Sequence, residues 1–254
     1  MSNAVNIKTI VMDLDRTLLH TDKTLSDYTL KVLKQCREHG IQIMVATARP
    51  HRNAIEYCKQ IGCDAIVASN GARVICGDQQ TDSGICLQSA VHLLQVLNRH
   101  PSLLVTLETG EIAYSNRPIA DYETTIASDL AGIAKIEGAL KILVRLDNEE
   151  TLDIIREGLT EDLYYTVANG YLIQIMDKAA TKWNGVKAML ELGNCSPAET
   201  AYFGDDNDDI EPIKMCGMGV AVSNAIDEVK AVADHITESN DADGVARFIE
   251  RVLL

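Results

Sequence analysis

The feature that most constrains this fold is a set of short, nearly unbroken apolar runs, each ending on polar residues. The runs are IVM at 10–12, IQIMVA at 41–46 and AIVA at 65–68, with a helix-like segment between each run and the next. Strands with near-continuous apolar sequence are buried on both faces, and their alternation with helices is typical of a parallel sheet. The sequence therefore predicts an α/β fold with a doubly wound, Rossmann-like sheet.

Capping residues, proline and glycine predict where the helices in the same part of the chain begin and end. Ser26 is a suitable N-cap for a helix that runs through His39 and ends at Gly40. Pro50 begins a second helix, which Gly62 ends. After residue 176 the pattern returns, with a helix over 182–192, strands over 200–205 and 219–222, a helix near 209–215, and two further helices.

The middle of the chain has a different pattern. Its strand-like segments, such as ALKILVRL and YLIQIM, alternate apolar with polar residues, and Asn169-Gly170 is a strong hairpin signal. Helices are predicted near 89–99 and 149–159. We expect an open, antiparallel α+β domain at 89–176, inserted into a core domain made of 1–88 and 177–254.

Composition excludes several classes of partner. The formal charge is -14, and both nucleic acids and anionic membranes attract basic surfaces instead. The sequence has no run of 18 apolar residues, and its seven scattered cysteines favour reduced thiols. We expect a cytoplasmic protein that binds neither nucleic acid nor membrane, as a monomer or a homodimer. The six histidines match no metal-ligand spacing.

Polar residues gather at the predicted strand ends. Asp13 and Asp15 follow the first strand, Thr47 the second, Asn70 the third, and Asp205 the strand after the insert. Each alone is an ordinary turn or capping residue. In an open parallel sheet, however, the carboxyl ends of the strands form the ligand-binding edge. Clustered carboxylates repel one another unless a cation lies between them, and hard Mg²⁺ suits such ligands together with a phosphate oxygen.

Five sequence motifs, in order, resemble the signature of the haloacid-dehalogenase-like phosphohydrolases. They are DLDRTLL (13–19), ATAR (46–49), SNGA (69–72), AATKWNGV around Lys182, and FGDDNDDIE (203–211). The large insert and the later GVAVSNA segment resemble the Cof-type subgroup, which carries a C2B cap domain.

The resemblance implies a role for each motif residue. Asp13 is the nucleophile that forms an aspartyl-phosphate, and Asp15 is the acid/base, which also offers its backbone carbonyl to Mg²⁺. Asp209 orients the centre. The implied site comprises catalytic Asp13 and Asp15; phosphate-binding Thr47, Lys182 and Asp208; metal-binding Asp13, Asp15 and Asp205; and supporting Asp209, Asn70 and Arg49.

Two residues depart from the family pattern. Arg16 stands where members commonly have glycine, and it either adds a cation near the cleft or points to solvent. Asp208 stands where asparagine usually contacts phosphate. It either pairs with Lys182, binds the metal directly or through water, or points away as a helix-start acid.

These features predict a Mg²⁺-dependent phosphatase acting on a small phosphorylated metabolite. Sugar phosphates, nucleotides, flavin mononucleotide and pyridoxal phosphate all remain open as substrates. A phosphosugar mutase and a catalytically weak, phosphate-binding regulatory relative are the alternatives. A response-regulator receiver needs about half this length and does not explain the insert.

Overall fold

The structure is a computed structural model that describes residues 6–120, 122–168 and 170–254. These residues form two compact units. The first contains the described residues up to Arg49, together with Asn53–Thr81 and Thr181–Leu254. The second contains Pro50–Arg52 and Asp82–Ala180. The predicted fold class, an α/β core with an inserted α+β domain, is confirmed. The exact boundaries given above stay a prediction.

The secondary structure is numbered here in chain order. The strands are β1 (Thr9–Met12), β2 (Gln42–Ala46), β3 (Ala65–Ala68), β4 (Arg73–Cys76), β5 (Gln79–Asp82), β6 (Val105–Glu108), β7 (Ala113–Ser115), β8 (Thr125–Ile126), β9 (Lys141–Arg145), β10 (Leu163–Ala168), β11 (Leu172–Asp177), β12 (Thr200–Gly204), β13 (Met218–Val222) and β14 (His235–Thr237). The α-helices are α1 (Asp27–Glu38), α2 (His51–Ile61), α3 (Leu87–Asn98), α4 (Leu130–Glu137), α5 (Glu149–Gly158), α6 (Lys182–Leu192), α7 (Ile210–Met215), α8 (Asp227–Lys230) and α9 (Gly244–Val252).

The core sheet has the strand order β14-β13-β12-β1-β2-β3-β4-β5. Pairing is parallel from β14 through β3, as predicted, and β4 pairs with β3 in the antiparallel direction. The sequence analysis did not foresee β4, β5 or β14. Strand order reverses beside β1, because β2 and β3 follow on one side and β12 and β13 on the other. In such a sheet this switch point is where a ligand-binding crevice opens.

Helix α1 forms where the sequence predicts it. The Ser26 side chain accepts a hydrogen bond from the Thr29 backbone N–H at 3.0 Å, which satisfies one free donor of the first turn. Val32, Leu33 and Cys36 are buried. Gly40 follows the helix with φ 79°, a left-handed conformation that glycine adopts readily.

The sheet of the second unit has the order β10-β11-β9-β6-β7-β8. The predicted hairpin is confirmed in the pairing of β10 with β11, although Asn169 itself lies outside the described residues. The prediction of a wholly antiparallel sheet is wrong at its edge, where β8 is parallel to β7. A connection longer than a hairpin turn precedes β8, which allows the chain to return in the same direction. Helix α4 was not predicted either; Asp129 caps it.

The two faces of this second sheet differ in character because side chains alternate along each strand. Ile142 and Ile175 belong to an apolar core of this unit. The opposite face carries Glu108 and Lys141, which are neighbours in register and only 3% and 4% exposed. Lys141 Nζ donates to the Gln174 side-chain oxygen at 2.8 Å. The Tyr122 hydroxyl donates to Glu108. We call Glu108, Lys141 and Gln174 the polar face of the cap sheet.

The cysteines and the helix lengths can be compared with what the composition predicted. All seven cysteines are free thiols. Across the ranges that the structure describes, no helix has both the length and the apolarity needed to cross a membrane.

Candidate active site

The site is built on the carboxyl ends of two neighbouring strands. Asp13 directly follows β1 and Asp205 directly follows β12, and these strands are paired. Asp209 comes from the turn that follows β12. One carboxylate oxygen from each of these three aspartates lies within 4.8 Å of the others, and all three residues are buried. The sheet thus brings together acids that are almost 200 residues apart in sequence.

Asp209 enters the site through a short 3₁₀ turn, Asn207–Asp209, which Asp206 caps with its side chain. The turn passes so close to the strand end that a Cβ atom on Gly204 would lie 2.4 Å from the Cβ of Asp209. Real Cβ atoms do not approach this closely. Glycine at position 204 therefore allows Asp209 to lie beneath Asp205.

The carboxylate of Asp209 is saturated with hydrogen bonds. Its Oδ1 accepts from Lys182 Nζ and from the Tyr202 hydroxyl, both at 2.7 Å. Its Oδ2 accepts from the backbone N–H groups of Asp205 at 2.9 Å and Asp206 at 3.1 Å. Since a carboxylate has about four acceptor positions, none is left for a metal. Asp13 and Asp205 are the two acids of this group that retain capacity to bind one.

Lys182 is the buried cation of the site. It is the first residue of α6, whose N-cap Thr181 accepts a hydrogen bond from the Asn184 backbone N–H at 3.1 Å. Its Nζ lies 3.0 Å from Asp13 Oδ1. Burial disfavours the charged lysine, but Asp13 and Asp209 outweigh that effect and hold the pKa of Lys182 above its ordinary value.

The acids carry more negative charge than the lysine balances. Burial raises the pKa of Asp13 well above its ordinary value; Lys182 opposes this rise, whereas Asp209 and Asp205 add to it. Burial, and then the charge of Asp209, raises the pKa of Asp205 to about 6. A hard divalent cation would relieve this repulsion, and carboxylate oxygens are the ligands that Mg²⁺ prefers. The donor set of Asp13 and Asp205 therefore fits Mg²⁺.

Asp15 faces a different set of partners. Arg49 grips its carboxylate with two hydrogen bonds, from Nε at 2.6 Å and from Nη2 at 2.7 Å. Lys23 Nζ donates to it at 2.7 Å. Burial raises the pKa of Asp15, but the hydrogen bonds from Arg49 and Lys23 prevail and lower it to about 2. The side chain of Asp15 lies outside the three-carboxylate group.

Lys23 is a residue of this site that no sequence pattern predicted. Its backbone has φ 68°, in the left-handed region that residues other than glycine seldom adopt. The Tyr57 hydroxyl donates to its carbonyl at 3.1 Å, and the guanidinium of Arg49 lies 5.0 Å from the centre of the Tyr57 ring. The left-handed conformation, in a loop without regular structure, gives no periodic signal in the sequence.

Thr47, Asn70 and Asp208 line the neighbouring strand ends. Thr47 is fully buried, and its hydroxyl accepts from the Arg49 backbone N–H at 3.2 Å. Its carbonyl accepts from the Asn70 backbone N–H at 3.2 Å. Asn70 has φ 58°, and its side-chain amide donates to Asp208. Asp208 also adds to the charges that raise the pKa of Lys182, so its carboxylate faces this group of residues.

The position of Arg16 answers the question that the sequence left open. Its Nε lies 3.7 Å from Asp205 Oδ2, and its Nη2 donates to the Asn224 carbonyl at 3.2 Å. The Asn224 side chain donates back to the Arg16 carbonyl at 2.7 Å. The guanidinium is therefore an additional cation beside the acids.

A buried lysine and a cluster of aspartates at the switch point of an α/β sheet, with a second domain inserted into the chain, are the attributes of a capped α/β phosphohydrolase. The family model of the haloacid dehalogenase-like hydrolases matches residues 10–249. The chain belongs to this family and is a phosphatase of the phosphoric monoester hydrolase class.

Known relatives span nearly the whole chain. A 5-amino-6-(5-phospho-D-ribitylamino)uracil phosphatase of Bacillus subtilis is 27% identical, over 95% of this chain and 96% of its own. A haloacid dehalogenase-like hydrolase from Bacteroides thetaiotaomicron superposes with a TM-score of 0.86 at 25% identity, over 97% and 99% of the two chains. A sugar phosphatase of HAD subclass IIB gives a TM-score of 0.81 at 20% identity, over 96% and 98%.

Proposed function

We propose that this phosphatase hydrolyses the phosphomonoester of a small metabolite through an aspartyl-phosphate on Asp13, with Mg²⁺ held by Asp13 and Asp205. The observation that carries the proposal is the hydrogen bond from buried Lys182 to Asp13, within a carboxylate cluster that a divalent cation would neutralise. Mg²⁺ supplies positive charge for the phosphoryl oxygens when it is bound. The other steps belong to side chains of this chain.

Asp13 attacks phosphorus with the oxygen that Lys182 does not engage. Lys182 then neutralises charge on the transferring group, because Asp209 accepts a hydrogen bond from its ammonium group and keeps it at the reaction centre, while the Tyr202 hydroxyl donates to the same Asp209 oxygen. Thr47 directly follows β2, beside β1, and its hydroxyl donates a hydrogen bond to a phosphoryl oxygen in this scheme. Such positioning accounts for most of the catalysis in phosphoryl transfer.

Asp15 is the acid and base of the scheme, and its contacts favour one role over the other. Gripped by Arg49 and Lys23, it is a carboxylate, which is the form that accepts a proton from the water that hydrolyses the aspartyl-phosphate. To donate a proton to the leaving group, it must first separate from Arg49. We propose that this separation accompanies substrate binding.

For the substrate, we propose a phosphorylated sugar or sugar alcohol, including a ribityl phosphate. Similar proteins named for a ribitylaminouracil phosphate and for sugar phosphates support this class. The polar face of the cap sheet supports it too, because Glu108, Lys141 and Gln174 are the donor and acceptor types that a polyol requires; Glu108 and Lys141 are buried and paired within the protein, so a polyol would have to exchange with those partners.

The test is phosphate release with Mg²⁺ over a panel of sugar phosphates, ribityl phosphates, nucleotides, flavin mononucleotide and pyridoxal phosphate. We expect release to be fastest with the first two groups, to stop with a chelator, and to return with Mg²⁺. Release that persists in chelator would refute the metal assignment. Trapping a phosphorylated product, in place of free phosphate, would indicate a mutase.

A further inference from the structure

Arg16, like Lys23, has a backbone conformation that is strained for its residue type. Its φ is 62°, a value that glycine adopts freely and that L-residues adopt only at a cost in steric strain. Both ends of the residue are nevertheless fixed by Asn224, through the reciprocal hydrogen bonds at 3.2 and 2.7 Å. The chain therefore holds an arginine, in a defined place, where glycine would relieve strain.

The place is beside a carboxylate that has few other partners. Asp205 Oδ1 accepts from the Thr17 hydroxyl at 3.0 Å, and its Oδ2 faces Arg16 Nε at 3.7 Å. That distance is an ion pair without a hydrogen bond. Asp205 is 3% exposed, whereas the Arg16 side chain is about half exposed. The guanidinium can therefore move into solvent while the carboxylate stays.

We propose that Arg16 is a placeholder cation of the metal site, which neutralises Asp205 before a divalent cation binds and opposes the binding of that cation. The proposal rests on the function proposed above, because it assumes a divalent cation at Asp13 and Asp205. When the cation arrives, Asp205 exchanges an ion pair with Arg16 for a metal bond, and two positive groups become neighbours. The exchange weakens Mg²⁺ affinity, so that occupancy of the site follows the free Mg²⁺ concentration.

The test is calorimetric titration of Mg²⁺, without substrate, into the wild type and a matched set of variants. Arg16→Gln removes the charge, Arg16→Lys keeps it, and Lys34→Gln removes an equal charge from an exposed position on α1. Asp205→Asn identifies the site. We expect Arg16→Gln to bind Mg²⁺ about three- to tenfold more tightly than wild type at low salt, with the gain shrinking at high salt. Arg16→Lys and Lys34→Gln should stay within about twofold of wild type.

The outcomes separate the two proposals. If the wild type binds Mg²⁺, Asp205→Asn does not, and Arg16→Gln binds with unchanged or weaker affinity, the placeholder role is refuted while the metal site stands. If neither the wild type nor Arg16→Gln binds Mg²⁺, both the metal site and the placeholder role fail. Circular dichroism checks that the variants are folded. Arg16→Gly serves as a second neutral variant, since glycine adopts the backbone conformation of residue 16 without strain.

Discussion

At the scale of single residues, the site consists of charges whose partners define their tasks. Asp13 and Asp209 share Lys182, Asp15 is gripped by Arg49 and Lys23, and Asp205 is left with Thr17 and Arg16. The acids of one motif therefore face different surroundings, although only one residue separates Asp13 from Asp15. Opposed environments of this kind are how neighbouring carboxylates take separate roles in a reaction.

The first prediction concerns Asp13. Asp13→Asn should abolish phosphatase activity, because an amide oxygen does not form the acyl-phosphate. The fold should persist, since an amide of nearly the same shape still accepts from Lys182. Phosphate release and thermal melting measure the two effects. Turnover within about tenfold of wild type would remove Asp13 as the nucleophile.

The second prediction concerns Asp208. Its carboxylate accepts from Asn70 and lies close enough to influence Lys182, so we expect it to repel a phosphate bound beside Lys182. Asp208→Asn should lower the inhibition constant of inorganic phosphate by about tenfold, the equivalent of roughly 1.4 kcal/mol of relieved repulsion. The measurement is phosphate inhibition at saturating Mg²⁺.

Asp206→Asn is the matched control for Asp208, because it removes the same charge from an exposed residue two positions earlier while asparagine still caps the turn. If the inhibition constant of inorganic phosphate is unchanged in Asp208→Asn, or falls equally in both variants, Asp208 does not act on bound phosphate.

At the scale of elements, helix α6 positions Lys182 by packing tightly on the sheet. A Cβ atom on Gly185 would lie 2.4 Å from Val67 Cγ1 on β3 and 2.9 Å from Gly71 Cα. The helix can approach this closely only because residue 185 has no side chain. Since Lys182 is one turn earlier in the same helix, a shift of α6 moves its ammonium group relative to Asp13.

The third prediction follows from that contact. Gly185→Ala should destabilise the protein by about 1–3 kcal/mol through overpacking and should lower kcat by displacing Lys182. Glu191→Ala, on an exposed position of α6, is the control and should be nearly neutral in both stability and kcat. Chemical denaturation and steady-state kinetics provide the two measurements. A folded Gly185→Ala variant with wild-type kcat would show that the position of α6 does not limit catalysis.

At the scale of the whole molecule, the two units have separate apolar cores. The core unit contains Asp13, Lys182, Asp205 and Asp209, whereas the polar face of the cap sheet belongs to the other unit. Chemistry and substrate choice are thus assigned to different parts of the chain in the function proposed above.

The fourth prediction uses this separation. Replacing residues 89–176 by a short flexible linker should leave slow, Mg²⁺-dependent hydrolysis of a small aryl phosphate, while preference among metabolites is lost. The physical reason is that the proposed reacting groups remain and the polar face of the cap sheet is removed. The full chain with Lys141→Met tests the same idea without a deletion, and its selectivity should also fall. Undiminished selectivity in both proteins would assign specificity to the core.

The sequence by itself determined the α/β class, the inserted domain and the motif acids. Strands that are buried on both faces need unbroken apolar runs, which are easy to recognise in a sequence. The acids at the strand ends are recognised in the same way, because each of these runs ends at polar residues. The Ser26 cap and the hairpin of β10 and β11 were also predictable from the sequence, because each depends on residues that are neighbours in sequence. The strands at or next to the edges of the core sheet (β4, β5 and β14) and helix α4 were missed, since short or exposed elements leave weak patterns.

Only the tertiary structure decided which charges meet. The pairing of β1 with β12 brings Asp13 beside Asp205, and the turn beneath Gly204 brings Asp209 to Lys182. The left-handed backbone of Arg16 and Lys23 aims their side chains at Asp205 and Asp15. No periodicity encodes these contacts, because they arise between residues from distant segments that the sheet makes neighbours. Electrostatic interaction depends on distance in space, and the fold alone fixes that distance.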